Sequence, residues 1–210
     1  VSVSPPSTTV YTVMVTDKNG CATSMKDTVT VAPPLNGTLT APTSTVCTGS
    51  SITLTYTVTG GDGSYTYSWY ANSMPLGNTQ SITIVVDSNT TYTVTADDGC
   101  GSTPTSAGVS INTNPSPNVT ACCDNTITPG QSVQLSVSPT SPAYTYSWSP
   151  LTGLSCNTCP TPIASPTVTT VYYVTTTNTS DGCSVIDSVT ITVGTDEIHI
   201  YTGISPNGDG

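Results

Sequence analysis

The chain has 210 residues, a length that accommodates one or two domains. Charged residues make up only 7% of it, and two lysines stand against twelve acidic residues, so the formal net charge is −10. Nucleic acids and anionic lipids are both bound through clustered lysine and arginine, so this composition excludes them as partners.

The remaining composition indicates a folded, secreted protein. β-Branched and aromatic residues alternate regularly along the chain, unlike in a disordered segment. Eight cysteines indicate an oxidising compartment. No apolar stretch approaches the ~20 residues of a membrane-spanning helix, and the sequence opens at Val1 in mid-pattern without a signal peptide. We therefore expect a mature chain or a fragment, located outside the cell or on its surface, with no membrane insertion.

The main feature of the sequence is an internal repeat. A Gly-Cys turn motif ends at Cys21, Cys100 and Cys183, which are spaced about 80 residues apart. Tyr-Thr-Tyr-Ser-Trp occurs at 65–69 and again at 144–148. A Tyr-x-Val motif recurs with the same period, as Thr-Val-Tyr-Thr-Val at 9–13, Thr-Thr-Tyr-Thr-Val at 90–94 and Thr-Val-Tyr-Tyr-Val at 170–174. Three motifs in one order and one period predict tandem modules of the same fold.

Residues 1–33 hold only the C-terminal strands of one module. They contain the Tyr11 strand, the Cys21 turn and a strand with Val29 and Val31, but nothing that matches the earlier part of the repeat. Pro33-Pro34 then marks a short, stiff linker.

Residues 34–114 form the first whole module. Ile52, Leu54, Tyr56 and Val58 alternate along a half-buried strand, and Gly-Gly-Asp-Gly makes the next turn. The following strands present their apolar residues with the same period of two: Tyr65, Tyr67 and Trp69, then Ile82, Ile84 and Val86, then Tyr92 and Val94, and last Val109 and Ile111.

Residues 115–194 repeat the pattern after a second proline-rich linker at 114–117, with Val133, Leu135 and Val137 in the first long strand. Residues 195–210 read as a linker and the first strand of a following domain. Several short strands per ~80 residues, with turn signals between them and no helical periodicity, predict an all-β fold of tandem immunoglobulin-like β-sandwich modules.

The cysteines predict disulfides within these modules. Cys47 precedes the first long strand of its module and Cys100 follows the penultimate one, so we expect them to pair, with a stabilisation of roughly 4 kcal/mol in the chain-entropy model. Cys183 occupies the position of Cys100, so its expected partner is Cys122 or Cys123, and the sequence leaves that choice open.

Cys156-Asn-Thr-Cys159 is open to two interpretations. A thiol redox motif of this spacing needs a βαβ setting and a lowered thiol pKa, and neither is indicated, so a local structural disulfide is favoured. Cys21 has no expected partner within the chain and is a candidate for an intermolecular bond or a bond to an upstream residue.

Nothing in the sequence predicts catalysis. The chain has one histidine, His199, and no Gly-x-Ser-x-Gly nucleophile motif, and its acidic residues stand singly at turns. We predict no catalytic residue and no cofactor. Calcium is the one ion considered, with Asn207 and Asp209 as candidate ligands, although the segment lacks the full spacing of an EF-hand loop.

One family resemblance emerges from these residues. The run 146–160, followed by Ala-Ser-Pro-Thr-Val-Thr-Thr-Val-Tyr-Tyr-Val and Asp-Gly-Cys, resembles the Ig-like or PKD-like repeats of giant surface proteins of Bacteroidota. The ending Gly-Ile-Ser-Pro-Asn-Gly-Asp-Gly at 203–210 is similar to the opening of the gliding-motility-associated C-terminal domain, a sorting signal for type IX secretion. Asp27-Thr28-Val29 and Asp187-Ser188-Val189 resemble the O-glycosylation motif of the same bacteria, with Thr28 and Ser188 as acceptors.

The resemblance implies surface adhesion, gliding or filament formation. The expected function is a structural stalk or filament segment in which the strand around 196–204 of one copy, or the continuing polypeptide, completes the partial N-terminal module by β-augmentation. The alternative is an adhesin that binds carbohydrate or protein through inter-strand loops, with Tyr70 and the 71–79 loop as the candidate site.

Overall fold

A computed structural model describes residues 1–194 of the chain. Eighteen strands cover this range, and it contains no helix that could cross a membrane. The strands are β1 Thr9–Thr16, β2 Ala22–Val29, β3 Asn36–Thr40, β4 Thr45–Cys47, β5 Ser50–Thr59, β6 Thr66–Ala71, β7 Met74–Gly77, β8 Ser81–Val86, β9 Thr90–Asp97, β10 Thr105–Asn114, β11 Thr120–Cys122, β12 Asn125–Ile127, β13 Val133–Gln134, β14 Ser136–Ser138, β15 Tyr144–Ser149, β16 Ile163–Ala164, β17 Thr170–Asn178 and β18 Ser184–Val193.

The chain divides into two compact units, residues 1–113 and residues 114–210. In the first unit, β3, β5 and β8 form one antiparallel sheet, and the strand order of the second sheet is β4-β10-β9-β6-β7. This distribution of strands over two sheets is that of an immunoglobulin-like sandwich. In the second sheet, β9 lies beside β6 and β10 lies beside β4.

Alternation along the strands builds the core of the first unit. Ile52, Leu54, Tyr56 and Val58 of β5 are all buried, and the residues between them carry hydroxyl groups that face outward. Trp69 of β6 lies opposite Val94 of β9 and is 1% exposed. These are the side chains that the sequence assigns to the core.

The second unit has the same plan with a more broken first sheet. Strands β12, β18, β17 and β15 form its main sheet, in which β12 runs parallel to β18. Trp148 of β15 lies opposite Val174 of β17, as Trp69 lies opposite Val94, and it is also 1% exposed. The two tryptophans therefore have equivalent surroundings, as the repeat predicts.

The indole N–H of each tryptophan donates a hydrogen bond to a backbone carbonyl. Trp69 Nε1 donates to the Thr79 carbonyl at 2.7 Å, and Trp148 Nε1 donates to the Cys159 carbonyl at 3.0 Å. A buried indole needs such a partner, because an unpaired N–H in the core would cost free energy. The predicted fold class, tandem immunoglobulin-like β-sandwiches, is confirmed.

The first 33 residues form a two-stranded hairpin in which β1 pairs with β2 from Thr9↔Val29 to Thr16↔Ala22. The turn between the strands is held by Asp17, whose Oδ1 accepts the backbone N–H groups of Asn19 and Cys21 at 2.8 Å each. The hairpin forms a sheet of its own, separate from the two sheets that build the sandwich of the first unit.

Candidate functional site

The inner face of the β1–β2 hairpin, which is the face that carries Tyr11 and Val13, has apolar side chains that are largely exposed. Tyr11, Val13 and Val15 of β1 share this face with Met25, which lies opposite Val13 on β2. Val13 is 58% exposed and Met25 is 74% exposed. A two-stranded ribbon with an uncovered apolar face is only marginally stable in water by itself.

In the two complete modules, the face equivalent to the inner face of the hairpin is buried. Tyr92 and Val94 of β9 occupy the positions of Tyr11 and Val13 in the repeat, and they are 4% and 0% exposed. Tyr172 and Val174 of β17 are buried in the same way. In both modules an opposing sheet covers these side chains, so the hairpin carries half of a core.

The edges of the hairpin are open as well. In the first unit β9 lies between β6 and β10, and in the second unit β18 lies between β12 and β17. Strands β1 and β2 pair only with each other within residues 1–194. Alternate backbone N–H and C=O groups along each outer edge are therefore available to another strand.

Asp27 and Asp187 share an Asp-Ser/Thr-Val sequence motif but differ in their hydrogen bonds. In the second unit, Asp187 Oδ1 accepts the Ser188 N–H, and its Oδ2 accepts the Ala121 N–H from β11, both at 2.8 Å. In the hairpin, Asp27 Oδ1 accepts the Thr28 N–H at 2.9 Å, and this is its one side-chain hydrogen bond within the described part of the chain. The two aspartates also differ in their place in the sheet, because Asp27 lies opposite Tyr11 of β1, whereas Asp187 lies opposite Val174 of β17.

The predicted Cys47–Cys100 disulfide is wrong. Cys100 is an exposed free thiol in the turn that precedes β10, whereas Cys47 ends β4. The Asn112 N–H donates to the Ser44 carbonyl at 2.9 Å, so β4 lies beside the far end of β10. At ~3.3 Å per residue, the two cysteines lie roughly 20 Å apart along the strand, beyond the ~7 Å that a disulfide can bridge.

The predicted bridge from Cys183 to Cys122 or Cys123 is also wrong, because Cys122 and Cys123 are bonded to each other. Strand β11, which Cys122 ends, lies beside Asp187, four residues along the chain from Cys183. Cys183 itself is buried, and its sulfur lies 3.8 Å from the Asn114 carbonyl. Equivalent sequence positions therefore do not have equivalent bonding partners.

The predicted local disulfide between Cys156 and Cys159 is confirmed. Cys156 and Cys159 form a disulfide with a Cα–Cα distance of 5.9 Å, as their spacing predicts. Cys21 is an exposed free thiol in the hairpin turn. Its suggested intermolecular bond stays a prediction.

The free thiol of Cys100 lies in an acidic environment. Its Sγ donates to Asp62 Oδ2 at 3.2 Å. This hydrogen bond and the charge of the carboxylate raise the pKa of the Cys100 thiol, because a thiolate would face a second negative charge. The raised pKa keeps the group protonated and weakly nucleophilic at neutral pH.

Asp62→Asn is expected to lower the pKa of Cys100 and to move its alkylation by iodoacetamide to lower pH. The measurement is the rate of labelling of the Cys100 peptide as a function of pH, read by mass spectrometry. Asp87→Asn, which removes a carboxylate that does not act on Cys100, is the matched control. An unchanged pH profile in Asp62→Asn would contradict the assignment.

Of the candidate calcium ligands and O-glycosylation sites, only the O-glycosylation sites lie within the described residues. Asn207 and Asp209, the calcium candidates, lie outside the described residues. Within residues 1–194, no three histidine, cysteine or acidic side chains come together as metal ligands. Thr28 and Ser188 are both exposed on their strands, β2 and β18, and modification of either stays a prediction.

The loop proposed for glycan binding does not form an aromatic cluster in the described structure. Tyr70 is half-buried on β6 and pairs with Pro75 of β7. The exposed side chains that follow it, Met74 and Leu76, are aliphatic. A stacking platform for a sugar ring needs exposed aromatic rings, so this site gives the adhesin alternative no support.

Comparison with known proteins finds similarity in structure alone. No protein-family model matches the chain, and no curated protein sequence matches it. Immunoglobulin domains 1–5 of Sidekick-1 are similar over 90% of this chain and 46% of theirs, at 15% identity and a TM-score of 0.40. Titin domains I67–I69, in an E-to-A mutated variant, are similar over 89% and 75%, at 14% identity and a TM-score of 0.41.

The fibronectin(III)-like modules of Clostridium thermocellum CbhA are similar over 77% of this chain and 96% of theirs, at 11% identity and a TM-score of 0.32. The chain thus spans about half of the Sidekick-1 structure and nearly all of the CbhA modules. At these identities the likeness is one of fold alone.

Proposed function

We propose that this chain is a non-catalytic, structural segment of a secreted bacterial cell-surface protein, built as a stalk or filament of tandem modules. In this proposal the continuing polypeptide or a second copy supplies β-structure that covers the β1–β2 hairpin, and in the second case copies join head to tail. The proposal rests on the repeated modules and on the exposed apolar face of the hairpin, and it requires no cofactor.

One observation carries this proposal: the same repeat positions are buried in two modules and exposed in the third. Val94 and Val174 are 0% and 1% exposed, whereas Val13 is 58% exposed. Covering a valine of this kind is worth about 1.5–3 kcal/mol, and added strands would also satisfy the free backbone groups of the hairpin edges. The hairpin therefore gains free energy by acquiring a partner sheet.

The form of the assembly follows from the kind of contact. The hairpin would be completed by a different part of the next copy, so the contact is heterologous. Heterologous contacts that do not close into a ring propagate into filaments. The net charge of −10 opposes non-specific clustering of copies.

Sequence features support the proposed location outside the cell. Cys156 and Cys159 are bonded, as in proteins from oxidising compartments. The resemblance of the repeats to Bacteroidota surface proteins, and of 203–210 to the start of a type IX sorting domain, supports secretion by that route.

Val13→Ser is expected to weaken self-association of the chain, raising its dissociation constant at least tenfold, because a polar side chain then enters the covered face. The measurement is sedimentation velocity over a range of concentrations, with electron microscopy to detect filaments. Val10→Ser is the matched control, because Val10 is also 58% exposed but lies on the other face of β1.

Two results would contradict the joining of copies through the hairpin. The first is a wild-type chain that stays monomeric at every concentration tested. The second is equal weakening by Val10→Ser and Val13→Ser, which would show that the inner face has no special part in the contact. Circular dichroism of each variant establishes that the sandwiches remain folded.

A further inference from the structure

We propose that the second unit binds a neutral carbohydrate on the outer face of strands β15, β17 and β18, with the Tyr173 ring as the stacking surface. The outer face is the side of this sheet that is turned away from the core. The inference adds a ligand to a module of the chain and does not rest on the proposed function. Three features of the face support it: an exposed ring, unpaired hydroxyl groups beside the ring, and the absence of charge.

The first feature is the exposure of Tyr173. Its neighbours along β17, Tyr172 and Val174, point into the core, so Tyr173 points away from it and is 50% exposed. It is the only exposed aromatic side chain within residues 1–194. Val171 and Ile186 are exposed on the same face. A tyrosine ring with aliphatic neighbours on a sheet provides a surface on which the apolar face of a sugar ring can stack.

The first unit shows that the fold does not require this apolar patch. Strands β9 and β10 pair in the register that β17 and β18 repeat one module later. The three positions of the patch are polar in the first unit, where Thr91, Thr93 and Ser106 replace Val171, Tyr173 and Ile186. The sandwich therefore forms without apolar side chains at these positions, and folding does not explain their presence in the second unit.

The second feature is a pair of hydroxyl groups beside the ring. Ser149 of β15 and Ser188 of β18 lie directly opposite Tyr173, one on each side. Within the part of the chain that the structure describes, neither hydroxyl is hydrogen-bonded to another protein group. On the outer face of the first unit, by contrast, Thr91 Oγ1 and Ser110 Oγ are paired at 2.9 Å.

The unpaired hydroxyl groups suit a sugar. A serine hydroxyl donates and accepts hydrogen bonds, as a sugar hydroxyl does, so each can bond the rim of a ring that stacks on Tyr173. Neighbouring strands lie ~4.8 Å apart, which places the backbones of Ser149 and Ser188 about 10 Å from each other across the tyrosine. Two linked sugar rings span such a distance, so an oligosaccharide could contact the ring and both serines.

The third feature is the absence of charge. No outward-facing residue of β15, β17 or β18 is charged. Residues 34–194 contain no lysine or arginine, and the net charge of the chain is −10. An anionic glycan would be repelled and would find no cation on this face, so the ligand that fits is neutral.

A second copy of the chain fits the outer face less well than a carbohydrate does. Apart from Val171, Tyr173 and Ile186, all outward positions of the three strands carry serine or threonine. Protein–protein interfaces are depleted in serine, and serine and threonine are under-represented among the residues that dominate their affinity. A ligand that itself carries many hydroxyl groups exchanges hydrogen bonds with such a surface.

The experiment is native affinity electrophoresis of the full-length chain in gels that contain dextran, mannan or xyloglucan, with alginate as the anionic probe. The wild type is expected to be retarded by at least one of the neutral polysaccharides and not by alginate. Tyr173→Thr, which introduces the residue of the first unit, is expected to raise the dissociation constant at least ~10-fold, because the stacking surface is lost. Tyr173→Phe keeps the ring and is expected to bind within about 3-fold of the wild type.

Val85→Thr is the matched control. Val85 is 59% exposed, as Tyr173 is 50% exposed, but it lies on β8 of the first unit. The variant is expected to bind polysaccharide as the wild type does. Circular dichroism of each variant checks that the sandwiches are folded.

Four results would overturn the inference and leave the test of Val13→Ser unaffected. They are no retardation by any neutral polysaccharide, retardation by alginate alone, equal retardation of Tyr173→Thr and the wild type, and equal losses in Tyr173→Thr and Val85→Thr. Sedimentation velocity without polysaccharide gives the remaining comparison. If Tyr173→Thr weakens self-association, the outer face binds a second copy, and this result also overturns the assignment to a carbohydrate.

Discussion

Trp148→Ala is expected to destabilise the second unit by about 3–5 kcal/mol, which is a large part of the stability of a module of this size. The indole is 1% exposed, lies opposite Val174 and donates to the Cys159 carbonyl. Its removal leaves a cavity and an unpaired carbonyl in the same place. Urea unfolding followed by circular dichroism measures the loss.

Trp69→Ala is the internal comparison for this prediction. Trp69 has the same exposure, an equivalent strand partner in Val94 and an equivalent hydrogen bond to Thr79. The repeat therefore predicts a loss of similar size in the first unit. A small effect in one unit and a large one in the other would contradict the equivalence of the two cores.

Gly60→Ala is expected to cost the first unit roughly 2–5 kcal/mol, as the sum of a backbone term and a packing term. Gly60 has φ of 89°, a left-handed conformation that a residue with a Cβ adopts at a cost. An added Cβ would also meet the carbonyl oxygen of Pro34, which belongs to the backbone and has little room to move. Thermal unfolding of the variant measures the change.

Gly63→Ala is the matched control, because it shares the conformation but not the contact. Gly63 has φ of 90°, and no atom lies within 4 Å of an added Cβ. Its expected cost is the backbone term alone, about 1–2 kcal/mol. Equal losses in Gly60→Ala and Gly63→Ala would show that the approach of Pro34 to Gly60 has no energetic effect.

The core of this protein could be predicted from sequence because it depends on a local pattern. Alternation with a period of two places Leu54 and Tyr56 on the same face whatever the rest of the chain does. The repeat then fixes the equivalent positions in the next module, and Trp69 and Trp148 have equivalent surroundings as a result.

The disulfides could not be predicted in this way, because bonding depends on which ends of the strands meet. Cys47 and Cys100 both lie next to a strand of the core, but the order β4-β10-β9 places them at opposite ends of β10. Sequence spacing gives the length of the closed loop and not its geometry. The break between β13 and β14 at Leu135 could not be predicted from a local pattern either. The Leu135 N–H donates to the Pro162 carbonyl, which belongs to a distant loop.

The parallel pairing of β12 with β18 determines how the second unit responds to tension along the chain. The chain enters this sandwich through its first strands and leaves it through its last one, and these neighbours run the same way. Tension along the polypeptide would pull the two strands past each other, so the hydrogen bonds from Asn125 to Ile127 would resist together in shear instead of opening one after another. The hydrogen bonds that close this sandwich are therefore also the ones that would resist stretching of the chain.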